Sequence, residues 1–381
     1  MESNSHALSP NIDLNEQNDK GSNVNFNFLD SSFYPTIPRH FVCSHEDLVH
    51  TKEELKEPLV DLLGFFRGDY EATRRAVELI RVACLSHGFF QVINHGIDAI
   101  LIRAAHDHMK AFFRQPLSKK LGVRRKPGSV WGYSGAHNAD RSSSKLPWKE
   151  TLSFGYNGAN KGSNKPIVFE YFTSLLGEDY DNMGLIYQHY CEAMEKLSLG
   201  IMELLGMSLG VDRSHFRRFF EDGHSIMRCN YYPSCQEPNL AVGTGPHCDP
   251  TSLTILHQDQ VGGLEVFVHN RWKYVRPRHD ALVINIGDTF MALSNGRYKS
   301  CLHRAVLNKY SERRSLAYFV CPREDKVVRP PKDLVGAQGL RMYPDFTWSA
   351  LLHFTQNHYR ADASTLESFS KWLLTLQSQV I

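Results

Sequence analysis

Asn230-Tyr-Tyr-Pro-Ser-Cys-Gln-Glu-Pro238, followed by Gly245-Pro-His-Cys-Asp249, is the stretch whose reading decides the fold. His247 and Asp249 stand two apart, and in an extended strand residues i and i+2 point to the same face. An imidazole and a carboxylate therefore share one side of the chain, and Cys248 between them faces away. Thr251-Ser-Leu-Thr-Ile-Leu256 just downstream is β-branched and apolar, which favours a strand over a helix. Further on, Cys301-Leu-His-Arg-Ala-Val306 reads as another short strand and offers His303.

Two imidazoles and one carboxylate on one face of a metal, with the other positions open, form the ligand set of non-haem Fe(II) oxygenases. The chain has nineteen histidines, so His303 gains weight only from its companions. After it comes Leu307-Asn-Lys-Tyr-Ser-Glu312, turn-like in composition, and then Arg313-Arg-Ser-Leu-Ala-Tyr-Phe-Val320. A hairpin turning about Asn308 sets Arg313 opposite His303, with Ser315 on the same face as Arg313. A planar guanidinium grips a carboxylate through two parallel hydrogen bonds, and a neighbouring hydroxyl adds another. The pattern predicts a pocket for an anionic co-substrate beside the metal. Zinc accepts the same ligands, but a zinc hydrolase leaves Arg313-x-Ser315 unexplained, and no His-Glu-x-x-His helix lies nearby to supply a base.

His247-x-Asp249, His303 and Arg313-x-Ser315 resemble the iron and 2-oxoglutarate sites of the plant soluble 2-oxoglutarate-dependent dioxygenases. Within that family, Asn230-Tyr-Tyr-Pro-Ser-Cys-Gln-Glu-Pro238 and Leu146-Pro-Trp-Lys-Glu-Thr151 are similar to motifs of the gibberellin 20-oxidases, whose usual form has Lys where this chain has Glu237. The resemblance implies Fe(II) held by His247, Asp249 and His303, with 2-oxoglutarate and O2 as co-substrates and ascorbate as a stimulant. It further implies that Arg313, Ser315 and Tyr232 bind the far carboxylate of 2-oxoglutarate and that Asn230 lies near its metal-bound end. The implied reaction is successive oxidation of C-20 of a tetracyclic diterpenoid acid in gibberellin hormone biosynthesis. Two alternatives stay open: a family member acting on a different gibberellin carbon or a flavonoid, and a jelly roll that binds a small molecule without turnover.

Composition sets outer limits. The 381 residues suffice for a substantial core. A formal charge of +2 points neither to nucleic acid nor to an anionic membrane. Eight scattered cysteines without a Cys-x-x-Cys pair suit a reducing compartment. No apolar run has transmembrane length and the N-terminus has no secretory pattern, so a monomeric, cytoplasmic protein is expected.

The predicted fold is α+β with a mainly β core, a double-stranded β-helix or jelly roll flanked by helices. Residues 1–36, rich in Asn, Ser and Asp, are expected to be disordered. A mixed helix and strand region covers 37–160, a helical segment 161–224, the jelly-roll core 225–325 and a C-terminal helical segment 326–381. Helical spacing of Ala76, Val77, Ile80, Ala83 and Cys84 predicts a helix ended by Gly88, followed by a strand Phe89-Phe-Gln-Val-Ile93. A second helix would bury Ile97, Ile100, Leu101, Ala104 and Phe112. A long one, Met183 to Leu209, carries the stripe Ile186, Tyr190, Met194, Leu197, Ile201 and Leu205. From Ile226 to Cys321 short β-rich segments alternate with turns, about eight strands in all, including a hairpin across His269-Asn-Arg271. A closing helix, Ser364 to Gln377, places Leu366, Phe369, Leu373 and Leu376 on one face. The stretch from Arg124 to Ser163 reads as loop, and its aromatic islands supply candidate substrate residues Tyr133 and Trp148. Lys149 either pairs with a substrate carboxylate or is simply solvated; the sequence leaves both open.

Overall fold

A strand buried on both faces needs a continuous apolar run, whereas one that borders a cavity alternates, and both kinds organise this protein. The computed structural model describes residues 28, 36–43, 51–135, 146–158, 166–336, 339–358 and 364–378. Four strands come first: β1 (Leu59–Asp61), β2 (Phe89–Ile93), β3 (Gly132–Ser134) and β4 (Glu150–Asn157). Eight more follow between His224 and Val320: β5 (His224–Tyr232), β6 (Thr244–His247), β7 (Leu253–Gln258), β8 (Leu264–Val268), β9 (Arg271–Tyr274), β10 (Ala281–Ile286), β11 (His303–Ala305) and β12 (Arg313–Val320). They form a large sheet ordered β1-β2-β10-β7-β12-β5-β4-β3 and a smaller facing sheet ordered β6-β11-β8-β9. Four strands of the large sheet and all four of the small one thus make the two walls of the expected jelly roll.

β10, Ala-Leu-Val-Ile-Asn-Ile, is buried along its whole length between β2 and β7. β5 and β12 alternate instead. Met227, Cys229, Leu316, Tyr318 and Val320 join the main core, while Ile226, Arg228, Asn230, Tyr232, Arg313, Ser315, Ala317 and Phe319 line a cavity between the sheets. The helix Asp181–Leu209 closes the core side of the large sheet with Tyr190, Met194, Leu197, Ile201 and Leu205, and Gly210 in the left-handed region ends it. Tyr187 on this helix donates to Ala105 O at 2.8 Å, joining it to the helix Ala99–Phe113.

Several local expectations shift. The N-terminal strands extend the large sheet at both ends, and two of them, β3 and β4, lie within the expected loop from Arg124 to Ser163. Ile100 is 68% exposed, because the buried side of its helix runs through Ile102, Ala105, Met109 and Phe112, one position further on. In the closing helix Thr365–Ser378, Leu366 and Phe369 are buried, but Leu376 near its end is exposed. The β8–β9 hairpin has a two-residue turn, His269-Asn270, both with positive φ, and Arg271 already pairs with Val268. The hairpin about Asn308 does not form: β11 lies between β6 and β8 and β12 between β7 and β5, so the link crosses from one sheet to the other. Asn308 accepts from the amides of Tyr310 and Ser311, a turn that serves an arch between sheets as well as it would a hairpin. The disorder expected over 1–36 falls outside the described residues apart from Phe28 and Thr36.

On the outer face of β7, His257 Nδ1 lies 2.7 Å from His106 Nε2 of the helix Ala99–Phe113. Burial, then mutual repulsion, pushes His106 down to about 3, and burial pushes His257 down to about 4. Unfolded histidine takes its proton near 6.5, so the neutral pair contributes stability that is complete above that pH and lost as pH falls towards 4. Each proton taken up preferentially by the unfolded chain costs about 1.4 kcal/mol per pH unit. The urea midpoint should therefore drop between pH 7 and pH 5, and the double variant His106→Phe, His257→Leu should flatten that drop; an identical slope in the variant would remove the pair from the pH response.

Candidate active site

Antiparallel pairing of β6 with β11 sets His247 directly across from His303. Their ring centroids are 4.3 Å apart. Asp249, two residues beyond His247, turns its carboxylate between them, with Oδ1 3.5 Å from His247 Nε2 and Oδ2 3.8 Å from His303 Nε2. The three ligand atoms lie within 4.8 Å of one another. Each imidazole donates its Nδ1–H to a carbonyl two residues earlier, His247 to Gly245 O and His303 to Cys301 O, both at 2.9 Å. A proton held on Nδ1 leaves the Nε2 lone pair aimed inward, the orientation a metal ligand needs. Burial pushes His303 down to about 4, keeping it neutral. Burial alone would raise Asp249, but the two imidazoles and the Thr254 hydroxyl outweigh it and hold the carboxyl well below the usual range. Two imidazoles and one carboxylate on one side, with the other side opening into the cavity, fit Fe(II).

The residues expected to seat the co-substrate stand across the cavity on the large sheet. Arg313 pairs in register with Tyr232, and Ser315 with Asn230. The Arg313 guanidinium lies 5.0 Å over the Tyr232 ring and donates to Gln258 Oε1 at 3.1 Å, while its Nε has no partner. Asn230 Nδ2 donates to Ser315 Oγ at 3.3 Å, and Tyr232 Oη lies 3.1 Å from Thr244 Oγ1. Arg313 is only 2% exposed and joins no ion pair among the described residues. A buried cation with spare donors is costly until an anion meets it. Arg313 therefore reaches the site from its own sheet, opposite Tyr232, and not as the hairpin partner of His303.

The cavity measures about 810 Å³. Leu146, Ile226, Val242, Trp348 and Leu352 supply its apolar wall, and the helix Trp348–Asn357, within the segment expected to be helical, closes one side. Lys149 lines the cavity, donating to Thr244 Oγ1 at 2.9 Å, and burial, with Arg228 and Arg125 nearby, pushes it down to about 7. Tyr133 and Trp148 do not line it. Tyr133 is 1% exposed, with its hydroxyl on Glu150, which also meets Lys120 at 2.6 Å. Trp148 packs edge-on against Phe28 and Phe41, at 5.0 and 4.9 Å between ring centroids. Alternation explains the split, because 148 and 149 point to opposite sides of the chain entering β4. Glu237 accepts the Ile37 amide at 3.0 Å, tying residues 37–43 to the cavity rim, where Cys43 lines the opening. Sequence reading missed Arg228, although it continues the two-residue alternation of Tyr232 and Asn230.

Comparison with known proteins agrees with this chemistry. The profile of the 2OG-Fe(II) oxygenase superfamily matches residues 223–322, and that described as the N-terminal part of the non-haem dioxygenase in morphine synthesis matches 58–170. The chain belongs to the 2OG-Fe(II) oxygenase superfamily and is a 2-oxoglutarate-dependent dioxygenase. Among curated relatives it is 58% identical to gibberellin 20 oxidase 2 of Oryza sativa subsp. indica over 89% of this chain and 86% of that protein. It is 52% identical to gibberellin 20 oxidase 2 of Arabidopsis thaliana over 94% and 93%. The crystal structure of JOX2 in complex with 2OG, Fe and JA superposes with a TM-score of 0.74 at 30% identity, covering 90% of this chain and 96% of that one. That of the rice dioxygenase for auxin oxidation gives 0.63 at 27%, covering 79% and 95%.

Gly287 ties this geometry to the backbone. Asp288 N donates to Asp249 O at 2.8 Å and Gly287 N to Ser252 O at 3.0 Å, while a Cβ at 287 would stand 2.0 Å from Thr251 O and 2.8 Å from Asp249 O. Gly287→Ala must therefore push the Asp249 segment aside. It should cost about 2 kcal/mol or more of stability and weaken Fe(II) binding, which urea unfolding and metal titration measure; wild-type values for both would overturn the assignment.

Proposed function

We propose that this protein is a gibberellin 20-oxidase, oxidising C-20 of a tetracyclic diterpenoid acid in successive steps that end in loss of that carbon. What carries the reading is the convergence, in one cavity with a broad apolar wall, of the triad and an Arg313 that makes no ion pair among the described residues, in a chain 58% identical to a named gibberellin 20 oxidase. His247, Asp249 and His303 would hold Fe(II) from one side. Bound iron, 2-oxoglutarate and O2 supply the oxidising power, as cofactors do in general. The residues supply position. Arg313 and Ser315 take the far carboxylate of 2-oxoglutarate, the Tyr232 hydroxyl adds a contact, and Asn230 holds Ser315 in place. The backbone carbonyls of Gly245 and Cys301 keep the Nδ1 protons in place, so both Nε2 atoms remain ligands. Leu146, Ile226, Val242 and Leu352 exclude water from the reacting carbon. The reading places a monomer in the cytoplasm, supported by eight cysteines that form no disulfide. No described helix is long and apolar enough to cross a membrane.

Incubation with Fe(II), 2-oxoglutarate, ascorbate and C-20-bearing diterpenoid acids, with products identified by mass, should show stepwise oxidation and loss of C-20. Oxidation confined to another carbon, or turnover of flavonoids alone, would reassign the substrate, and absence of coupled succinate release would make the cavity a binding site only. Removing one member of a desolvated charge pair costs about 3–5 kcal/mol, and about 1.4 kcal/mol is tenfold in affinity. Calorimetry on Arg313→Leu should find 2-oxoglutarate binding roughly 100- to 1,000-fold weaker with iron retained; unchanged affinity would take Arg313 out of the seat. In His247→Ala and Asp249→Ala, metal analysis should find iron lost and turnover abolished, and full succinate release from either would refute the ligand set.

A further inference from the structure

Once Arg313 is assigned to 2-oxoglutarate, the cavity wall still carries cations whose nearest opposite charge is Asp249, itself one of the three candidate metal ligands. Arg228 lies on β5, opposite Ser153 of β4 on one side and Ala317 of β12 on the other. Its Nε donates to Ser153 Oγ at 3.0 Å, and its guanidinium lies 5.1 Å over the Phe319 ring. Arg125 stands behind it, donating from Nη2 to Thr151 Oγ1 at 3.2 Å and Ser153 Oγ at 3.4 Å, with its Nε unpartnered. Lys149 is the third, its polar contact a hydroxyl. None of the three has a carboxylate within ion-pair distance among the described residues. Other buried cations do: Arg304, which also borders the cavity, meets Glu265 at 2.6 Å, and Lys120 meets Glu150 at 2.6 Å. Arg228 and Arg125 repel one another and together hold Lys149 low, and an anion from outside the chain would offset that repulsion.

The position narrows the anion. Arg228 is four residues from Tyr232 along the same face of β5, about 13 Å at ~3.3 Å per residue, so one molecule of 2-oxoglutarate gripped by Arg313 leaves it free. Ile226 and Phe319, next along the sheet, are apolar. An anionic group attached to an apolar body fits this end of the cavity, and a free inorganic anion does not. Resting on the function proposed above, we infer that Arg228 is the specificity-determining seat for the substrate's carboxylate, a paired guanidinium–carboxylate contact that fixes which carbon of the ring system faces the metal. A guanidinium suits this better than the Lys149 ammonium, because its planar fork holds a carboxylate in one orientation and it keeps its charge when buried.

The test compares a C-20-bearing diterpenoid acid with its methyl ester in the iron-loaded, full-length protein, as wild type, Arg228→Met, Arg228→Lys and Lys149→Met. In the wild type, kcat/KM should favour the acid by roughly 30-fold, about 2 kcal/mol. Arg228→Met should collapse the acid-to-ester ratio to near 1, mainly through KM for the acid, and the acid should yield a broader set of oxidised carbons. Arg228→Lys should recover part of the ratio, and Lys149→Met should keep most of it. Calorimetric 2-oxoglutarate binding and thermal melting report whether the Arg313 seat and the fold are intact; should Arg228→Met fail to fold, Arg228→Lys with the same two compounds decides, since a single-point cation must lower the ratio. A wild-type ratio in the Arg228 variants, or its collapse in Lys149→Met alone, overturns the assignment while leaving the oxygenase reading in place. Absence of coupled turnover of either compound by the wild type overturns that reading and this one with it.

Discussion

The pairing of His303 with His247 across two short strands is the constraint on which the site depends. β11 has only three residues and β6 four, so register, and not length, sets the metal geometry. A slip of β11 by one position would turn His303 to the opposite face and leave His247 and Asp249 without their third partner. Gly287 permits the close approach that holds Asp249, and the backbone carbonyls of Gly245 and Cys301 set the two rings. Iron chemistry is therefore specified largely by main-chain hydrogen bonds.

The larger sheet carries the complementary task. Its β5–β12 ladder places one charged or polar pair after another along the cavity, Tyr232 with Arg313, Asn230 with Ser315, Arg228 with Ala317, before turning apolar at Ile226 and Phe319. The opposite face of the same strands is aliphatic and aromatic and packs on the helix Asp181–Leu209. One ladder thus anchors the core and presents ligands at once. Buried cations of this kind oppose folding unless they are paired; Arg304 and Lys120 are matched by carboxylates of the chain, whereas Arg313 and Arg228 are left for carboxylates of the ligands.

Much of this was legible from residue order. Strand alternation put His247 beside Asp249 and Ser315 beside Arg313, and chemistry suggested the partners, so the candidate ligands could be proposed without knowing which strands pair. Pairing itself is non-local, and there the reading failed: the turn at Asn308 has the composition of a hairpin, yet its strands belong to opposite sheets. Aromatic residues in a polar stretch suggested a pocket wall, but Tyr133 and Trp148 are core side chains, and it is Val130, Leu146, Pro147 and Lys149 of that stretch that reach the cavity. Nothing local marks Trp348 and Leu352 as cavity wall, because an amphipathic helix looks the same whether it covers a core or a ligand.

The contact between Glu237 and the Ile37 amide has a consequence for how this branch of the family can vary. An ammonium has no lone pair to offer a main-chain N–H, so a relative with lysine at this place must fasten its N-terminal arm by another means. Changes at 237 and in residues 37–43 should thus travel together through descent, and grafting the arm of one such enzyme onto another would carry a mismatch at the threshold through which substrate enters.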